Sequence, residues 1–283
     1  MRSVAQRQAL GRRLIWLTVV GALVLGGIVM IFPFFWLVST SLRPAPELLL
    51  VPPPLLPIHP TLQNYAAAFS AAPLLLYLWN SVAFSTVATV FTLLTSLVAG
   101  YVFAKFRFPG NNLLFMLVLA TAIVPFEIYM LPLFLQMNAL HLVNTPLGLW
   151  LPYLVLAYGI FFIRQATING VPEELLDAAR IDGMSEMGIM LRLVPRLLTS
   201  ALSALAILAF IQAWTTFIWP LIVLNTRDFF PMELGVSQLA GSFSVDYGVT
   251  SAAAVIAAIP TLMAFLVLRR RIVEGITLTG LKG

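Results

Sequence analysis

Carboxylates, an arginine, two adjacent alanines and a glycine stand close together in the polar run INGVPEELLDAARIDGMSEMGIMLRLVP, Ile168 to Pro195, within a chain that is otherwise mostly apolar. Pro172 suits the start of a helix, and Glu173 and Glu174 fall in its first turn, where carboxylates meet the positive end of the helix dipole. Asp177 and Arg180 are three apart and can pair on its surface. Gly183 is placed to take the left-handed conformation that ends a helix, and Ser185 to cap the next, which Pro195 then interrupts. The product is a short amphipathic helix, and its chemistry is recognition rather than covalent catalysis. A helix-in-groove contact with another protein fits it, and so does a helix resting on lipid headgroups. Its acidic bias argues against anionic lipid.

Other chemistry is sparse. Glu127 is the only acidic residue expected inside an apolar run, between Pro125 and Pro132. A carboxylate at mid-bilayer costs roughly 2.5–3.5 kcal/mol on insertion scales, so it should face protein or water. A place on a translocation path, one near the outer interface and a structural hydrogen bond all remain open to it. Trp214, Phe217 and Trp219 could stack on sugar rings while Gln212, Thr215, Thr216 and Asn225 bond hydroxyls, although helix packing and interfacial belts use the same residue types. There is no cysteine, and His59 and His141 lie far apart in expected loops, which gives no metal set. Neither lysine, Lys105 or Lys282, follows a glycine, so no phosphate-cradling loop is present and this chain should hydrolyse no ATP itself. A rival reading is a secondary transporter or channel using Glu127 as an ion or proton site.

These residues must be positioned by lipid-embedded helices. The 283-residue chain is 60% hydrophobic and 10% charged, with a mean hydropathy of +0.98. Backbone amides in hydrocarbon pair within their own segment, and continuous apolar runs without alternation mean helices rather than a barrel. Six runs can span: Leu14 to Val38, Leu74 to Phe103, Leu113 to Leu135, Leu147 to Ile163, Leu198 to Leu224 and Val249 to Leu268. Fourteen of the sixteen basic residues then share one face, leaving Arg43 and Arg227 opposite. By the positive-inside rule both termini and the 168–195 loop are cytoplasmic. Residues 1–283 read as one all-α membrane domain. Its extracytoplasmic loops lie at 39–73, 136–146 and 225–248, and its cytoplasmic tail at 269–283. The net charge of +5 is spent on topology and implies no nucleic acid.

Asp177-Ala178-Ala179, three residues, then Gly183 resembles the Glu-Ala-Ala loop of binding-protein-dependent ABC importer permeases, and EELLDAARIDGMSE resembles their carbohydrate, maltose-permease-like branch. PFFWLVSTSLRP (Pro33 to Pro44), TLQNYAAAF, Asn80-Ser81, LVAGYVFAKFRFPG (Leu97 to Gly110), NTPLGL (Asn144 to Leu149), FIWPL (Phe217 to Leu221) and the terminal GITLTGLKG extend the resemblance over nearly the whole chain. It implies a type I importer permease with six spans in a prokaryotic inner membrane. Such a subunit pairs with a second permease, sits on two ATPase subunits that bind the ATP and magnesium, and receives a sugar from an extracytoplasmic binding protein. The resemblance makes Glu174, Asp177, Ala178, Ala179, Arg180, Asp182 and Gly183 the coupling segment that docks on an ATPase. It carries Gly275, Thr279, Gly280 and Lys282 to the ATPase dimer as well, and makes Glu127, Gln212, Trp214, Thr215, Phe217 and Trp219 candidates for the substrate path. The sequence departs from the family at Asp177, where glutamate is usual, at Pro195, one residue before the usual proline, where Arg196 stands, and at Gln212-Ala213-Trp214.

Overall fold

The computed structural model describes residues 2–240 and 246–280, with side chains over 15–240 and 246–266. The described residues are helical with no strand. Two compact units form, Met1–Ala72 with Leu239–Ile256, and Pro73–Gln238 with Ala257–Gly283.

In the first unit, α1 (Arg2–Ser41) leads to a knot that contains the short helices α2 (Ala45–Leu48) and α3 (Gln63–Ala71). Proline at 44, 46, 52, 53, 54, 57 and 60 prevents regular structure, and buried polar side chains close the knot instead. Arg43, 1% exposed, sits 4.4 Å over the Trp36 ring and donates to Ser39 Oγ at 2.9 Å and to the Leu55 carbonyl at 3.2 Å. Asn64 Nδ2 donates to the carbonyls of Ser41 and Arg43, so the TLQNYAAAF segment is tied to the end of PFFWLVSTSLRP. Glu47 accepts from the amides of Ile58 and His59 at 2.9 and 2.7 Å.

Burial pushes the Glu47 carboxyl up, and the two amides and the His59 ring outweigh it, so the group stays ionised below the usual carboxylate range. A depressed folded-state value adds stability above the unfolded value, and that stability disappears as pH falls through the folded one. The protection of the Ile58 and His59 amides, measured against the intrinsic exchange rate at each pH, is therefore expected to stay high at pH 5 and to fall only below the ordinary 4.5 of a free glutamate. In Glu47→Gln it should be low at both.

The second unit is built on α4 (Leu74–Lys105), α5 (Asn111–Ile123), α6 (Phe126–Ala139), α7 (Pro146–Trp150) and α8 (Ala157–Gly170). There follow α9 (Glu173–Ile181), α10 (Glu186–Gly188), α11 (Val194–Leu197), α12 (Thr199–Trp214), α13 (Ile218–Val223) and α14 (Met232–Ala240). The last helix, α15 (Tyr247–Gly280), belongs partly to each unit. A stripe of small residues runs along the buried part of α4, Ser81, Ser85, Ala88, Thr92, Ser96 and Gly100, with Phe84, Leu97 and Tyr101 buried beside it. In lipid, where apolar surface alone gives no drive to associate, small residues at four-residue spacing let backbones approach and pack. A Cβ on Gly100 would stand 2.9 Å from the Arg164 nitrogen, and one on Gly159 would run into Ser96 Oγ.

Of the six expected spans, those at Ile15–Ser41, Leu74–Lys105, Pro146–Gly170 and Tyr247–Leu266 are helices long and apolar enough to cross. Two more exist only as bent pairs, α5 with α6 at 101°, and Glu186–Leu197 with α12 at 85°. Val124 takes an extended conformation because Pro125 follows it, and that breaks the third span. Pro195 does not interrupt the chain as expected. The helical run Glu186–Leu197 continues through it, and a π-helical turn over Ile189–Leu193 just before it accommodates the bond its missing N–H cannot make. The bend falls at Leu198 instead.

Candidate functional site: the polar loop and the broken-helix cleft

α9 begins after Pro172 with Glu173 and Glu174 in its first turn and ends at Gly183, which takes φ +83°. Ser185 accepts the Gly188 amide and caps α10. The loop stands off from the bundle on one side only. Leu176 and Ala179 are buried with Tyr101, Ile163, Val171, Ile189, Val194 and Leu205. Opposite them Leu175, Ala178, Ile181 and Asp182 face outward, Ile181 at 86% exposure. The two alanines that the sequence treats alike thus differ: Ala179 packs inward and Ala178 outward. Burying Leu176 is worth about 1.5–3 kcal/mol, against roughly 0.2–1 kcal/mol for an exposed ion pair. Packing therefore seats the helix, and its charges trim the geometry.

Those charges form two sets, one around Arg180 and one around Lys105. Arg180 Nη1 donates to Asp177 Oδ1 at 2.7 Å and its Nε to Glu186 Oε1 at 2.6 Å. The bonds to Glu186 and then Asp177 hold its guanidinium still more firmly protonated than usual. Tyr101 on α4 donates to Glu186 Oε2 at 3.2 Å. Lys105, whose side chain is 7% exposed, donates to the Val171 carbonyl at 2.7 Å and to Glu173 Oε1 at 2.9 Å. Beside α9 a groove of ≈ 420 Å³ runs along Gly183, Met184, Met187, Leu191 and Arg192.

A second concavity, ≈ 500 Å³, lies where three helix breaks converge: between α5 and α6, between α7 and α8, and between α12 and α13. Gln212, Thr215, Phe217 and Trp219 line it, with Phe126, Tyr129, Tyr153 and Thr216, which sequence reasoning did not place together on a cleft. Broken helices in a membrane are tolerated where they line a cavity, and they supply polar backbone to it. Trp214 points elsewhere. It is buried, stacks on Phe210 and donates to the Ala257 carbonyl at 3.3 Å. Trp219 is buried with its indole N–H on the Gly148 carbonyl at 3.1 Å, which joins FIWPL to NTPLGL. Glu127 is exposed in the first turn of α6 and is not among the cleft residues. Gly275, Thr279 and Gly280 continue α15, and Lys282 lies outside the described residues.

The remaining motif residues anchor the loops between spans. Asn80 Nδ2 donates to the carbonyls of Asp228 and Phe230, and Ser81 Oγ accepts the Met232 amide at 2.7 Å. Asn144 Oδ1 accepts from the amides of Asn225 and Thr226.

Known proteins are similar to this chain in sequence and in fold. The chain is 38% identical over 272 residues to the arabinooligosaccharides transport system permease protein AraQ of Halalkalibacterium halodurans, covering 95% of this chain and 96% of that one. It is 34% identical to the lactose transport system permease protein LacG of Rhizobium radiobacter, over 94% of this chain and 96% of the relative. A crystal structure of a bacterial ABC transporter involved in the import of the acidic polysaccharide alginate contains a chain of the same fold. There the TM-score is 0.82 at 18% identity, over 91% of this chain and 96% of that chain. With residues 93–274 matching the family model as well, the chain belongs to the binding-protein-dependent transport system inner membrane components.

Proposed function

We propose that this chain is one permease subunit of an ATP-driven carbohydrate importer, paired with a second permease, carried on two ATPase subunits that bind ATP and magnesium, and supplied by an extracytoplasmic binding protein. The two-faced α9 supports this most directly. One face is locked into the bundle, and the other leaves Leu175, Ala178 and Ile181 exposed among the described residues. The chemistry of such a face is helix-in-groove docking. Glu174, Asp177, Ala178, Arg180, Asp182 and Gly183 shape it, and Ala179 holds it from behind. ATP-driven closure of the ATPase pair moves α9, and through it the helices whose breaks line the cleft. Gln212, Thr215 and Phe217 there meet the sugar, with hydroxyl-bonding groups next to an aromatic edge. The termini lie in the cytoplasm with the loop, and the tail Gly275 to Lys282 approaches the ATPases. Relatives named for arabinooligosaccharide and lactose transport support a carbohydrate cargo.

Reconstituted vesicles provide the test. Uptake of the sugar retained by the co-purifying binding protein should require the partner permease, the ATPase subunits, ATP and that binding protein together. Uptake by this chain alone, driven by an ion gradient, contradicts the proposal.

A further inference from the structure

Lys105 ends α4 with its ammonium enclosed between two groups at the entry of the polar loop, the Val171 carbonyl at 2.7 Å and Glu173 Oε1 at 2.9 Å. One helical turn earlier, Tyr101 reaches the exit of the same loop at Glu186 Oε2, 3.2 Å away. Glu186 in turn holds Arg180 of α9. The loop is continuous in sequence with α8 before it and α12 after it. α4, which packs on both of these helices, has no such covalent link to the loop. We propose that Lys105, with Tyr101 beside it, is a positioning residue for transport. It ties α4 to the docking helix, so that α4, α8 and α12 follow a displacement of α9 as one body.

The apolar contacts of Leu176 and Ala179 seat α9, and being non-directional they set its distance from α4 more firmly than its direction. A desolvated ammonium held by a carbonyl and a carboxylate fixes distance and direction. Removing it leaves Ala178 and Ile181 unchanged on the outer face, so docking persists while the motion is lost between α9 and α4. The inference rests on α9 being the docking element.

The experiment uses the assembled transporter in vesicles and reads solute moved per ATP hydrolysed, together with the amount of ATPase subunit that co-purifies. Lys105→Met is expected to keep its ATPase subunits and continued hydrolysis while the transport-to-hydrolysis ratio falls about tenfold, within the usual range of site-to-site couplings. Lys105→Arg, which retains donors in the same place, should restore most of it, and Tyr101→Phe should lower the ratio by less. An unchanged ratio in Lys105→Met overturns the proposal. So does loss of the ATPase subunits from Lys105→Met, which assigns Lys105 to building the docking face rather than transmitting its motion. Should Lys105→Met fail to accumulate, Tyr101→Phe decides by the same ratio, since it deletes one hydroxyl and leaves the packing intact. Failure of the docking reading itself is separate: Ile181→Asp would then retain its ATPase subunits.

Discussion

Gly159→Leu is expected to destabilise the folded protein strongly and to lower its yield from the membrane. The residue lies where α8 crosses α4, and even a methyl group there runs into Ser96 Oγ and comes within 3.4 Å of Leu205 Cδ1. A leucine can be accommodated only by parting the helices. That separates the Ser96 and Gly100 stretch of α4 from Ile163 and the Arg164 backbone, which a Cβ on Gly100 would meet at 3.0 and 2.9 Å. Overpacking a close-packed site costs typically about 1–3 kcal/mol, and a forced helix separation exceeds it because contacts along the whole seam are lost together. Against a total stability of roughly 5–15 kcal/mol, a cost above about 3 kcal/mol raises the unfolded-to-folded ratio by more than about 100-fold, and the midpoint of thermal unfolding in detergent should fall clearly below that of the wild type. Gly100→Leu should behave in the same way from the other side of the seam. Gly26→Leu in α1 should extract as wild type, since nothing lies within 4 Å of its Cβ position. Equal behaviour of the Gly159 and Gly26 variants would remove the α4–α8 seam from the account.

Ile181→Asp should do the reverse: a normal yield of inserted protein and a nearly complete loss of function. The side chain is 86% exposed, so substitution should change the stability of this chain by no more than about 0.5 kcal/mol. At the centre of a docked face the same change buries a carboxylate opposite an apolar wall. Apolar anchors at interface centres contribute about 2–4 kcal/mol, which corresponds to a loss on the order of 100-fold in ATPase recruitment and in ATP-driven uptake. Leu176→Ala makes the contrast. It acts from the buried face, costs about 2–5 kcal/mol of packing, and should lower yield as well as uptake. Co-purification of the ATPase subunits at constant permease amount separates the two.

Much of this was legible in the residues. Gly183 takes its left-handed turn, Ser185 caps, and Asp177 meets Arg180 because caps and three-residue pairs are local, set by chemistry within one turn. Four of the six spans were legible from length and apolarity, and the sharp bends within the other two were not. What depended on tertiary packing was not. Ala178 and Ala179, side by side in sequence, differ only in which one is buried in the cluster that includes Ile189 and Leu205, and Trp214 turned to Phe210 and Ala257 rather than to the cleft for the same reason. Lys105 reads in the sequence as a topology charge, and its enclosure by Val171 and Glu173, sixty-six and sixty-eight residues away, has no local signal. The π-helical turn before Pro195 was equally hidden, since a proline shows where a regular bond is missing and not how the chain accommodates the loss.

An outer face of α9 that meets an ATPase in the cytoplasm must be open to that side of the membrane and covered once the ATPase binds. The chain contains no cysteine, so Ile181→Cys gives a single thiol, and a membrane-impermeant maleimide can be applied to sealed vesicles of known orientation. Labelling only from the cytoplasmic side, and strong protection once ATPase subunits are bound, is the expected result. Labelling from the outer side, or at the same rate with and without those subunits, contradicts it.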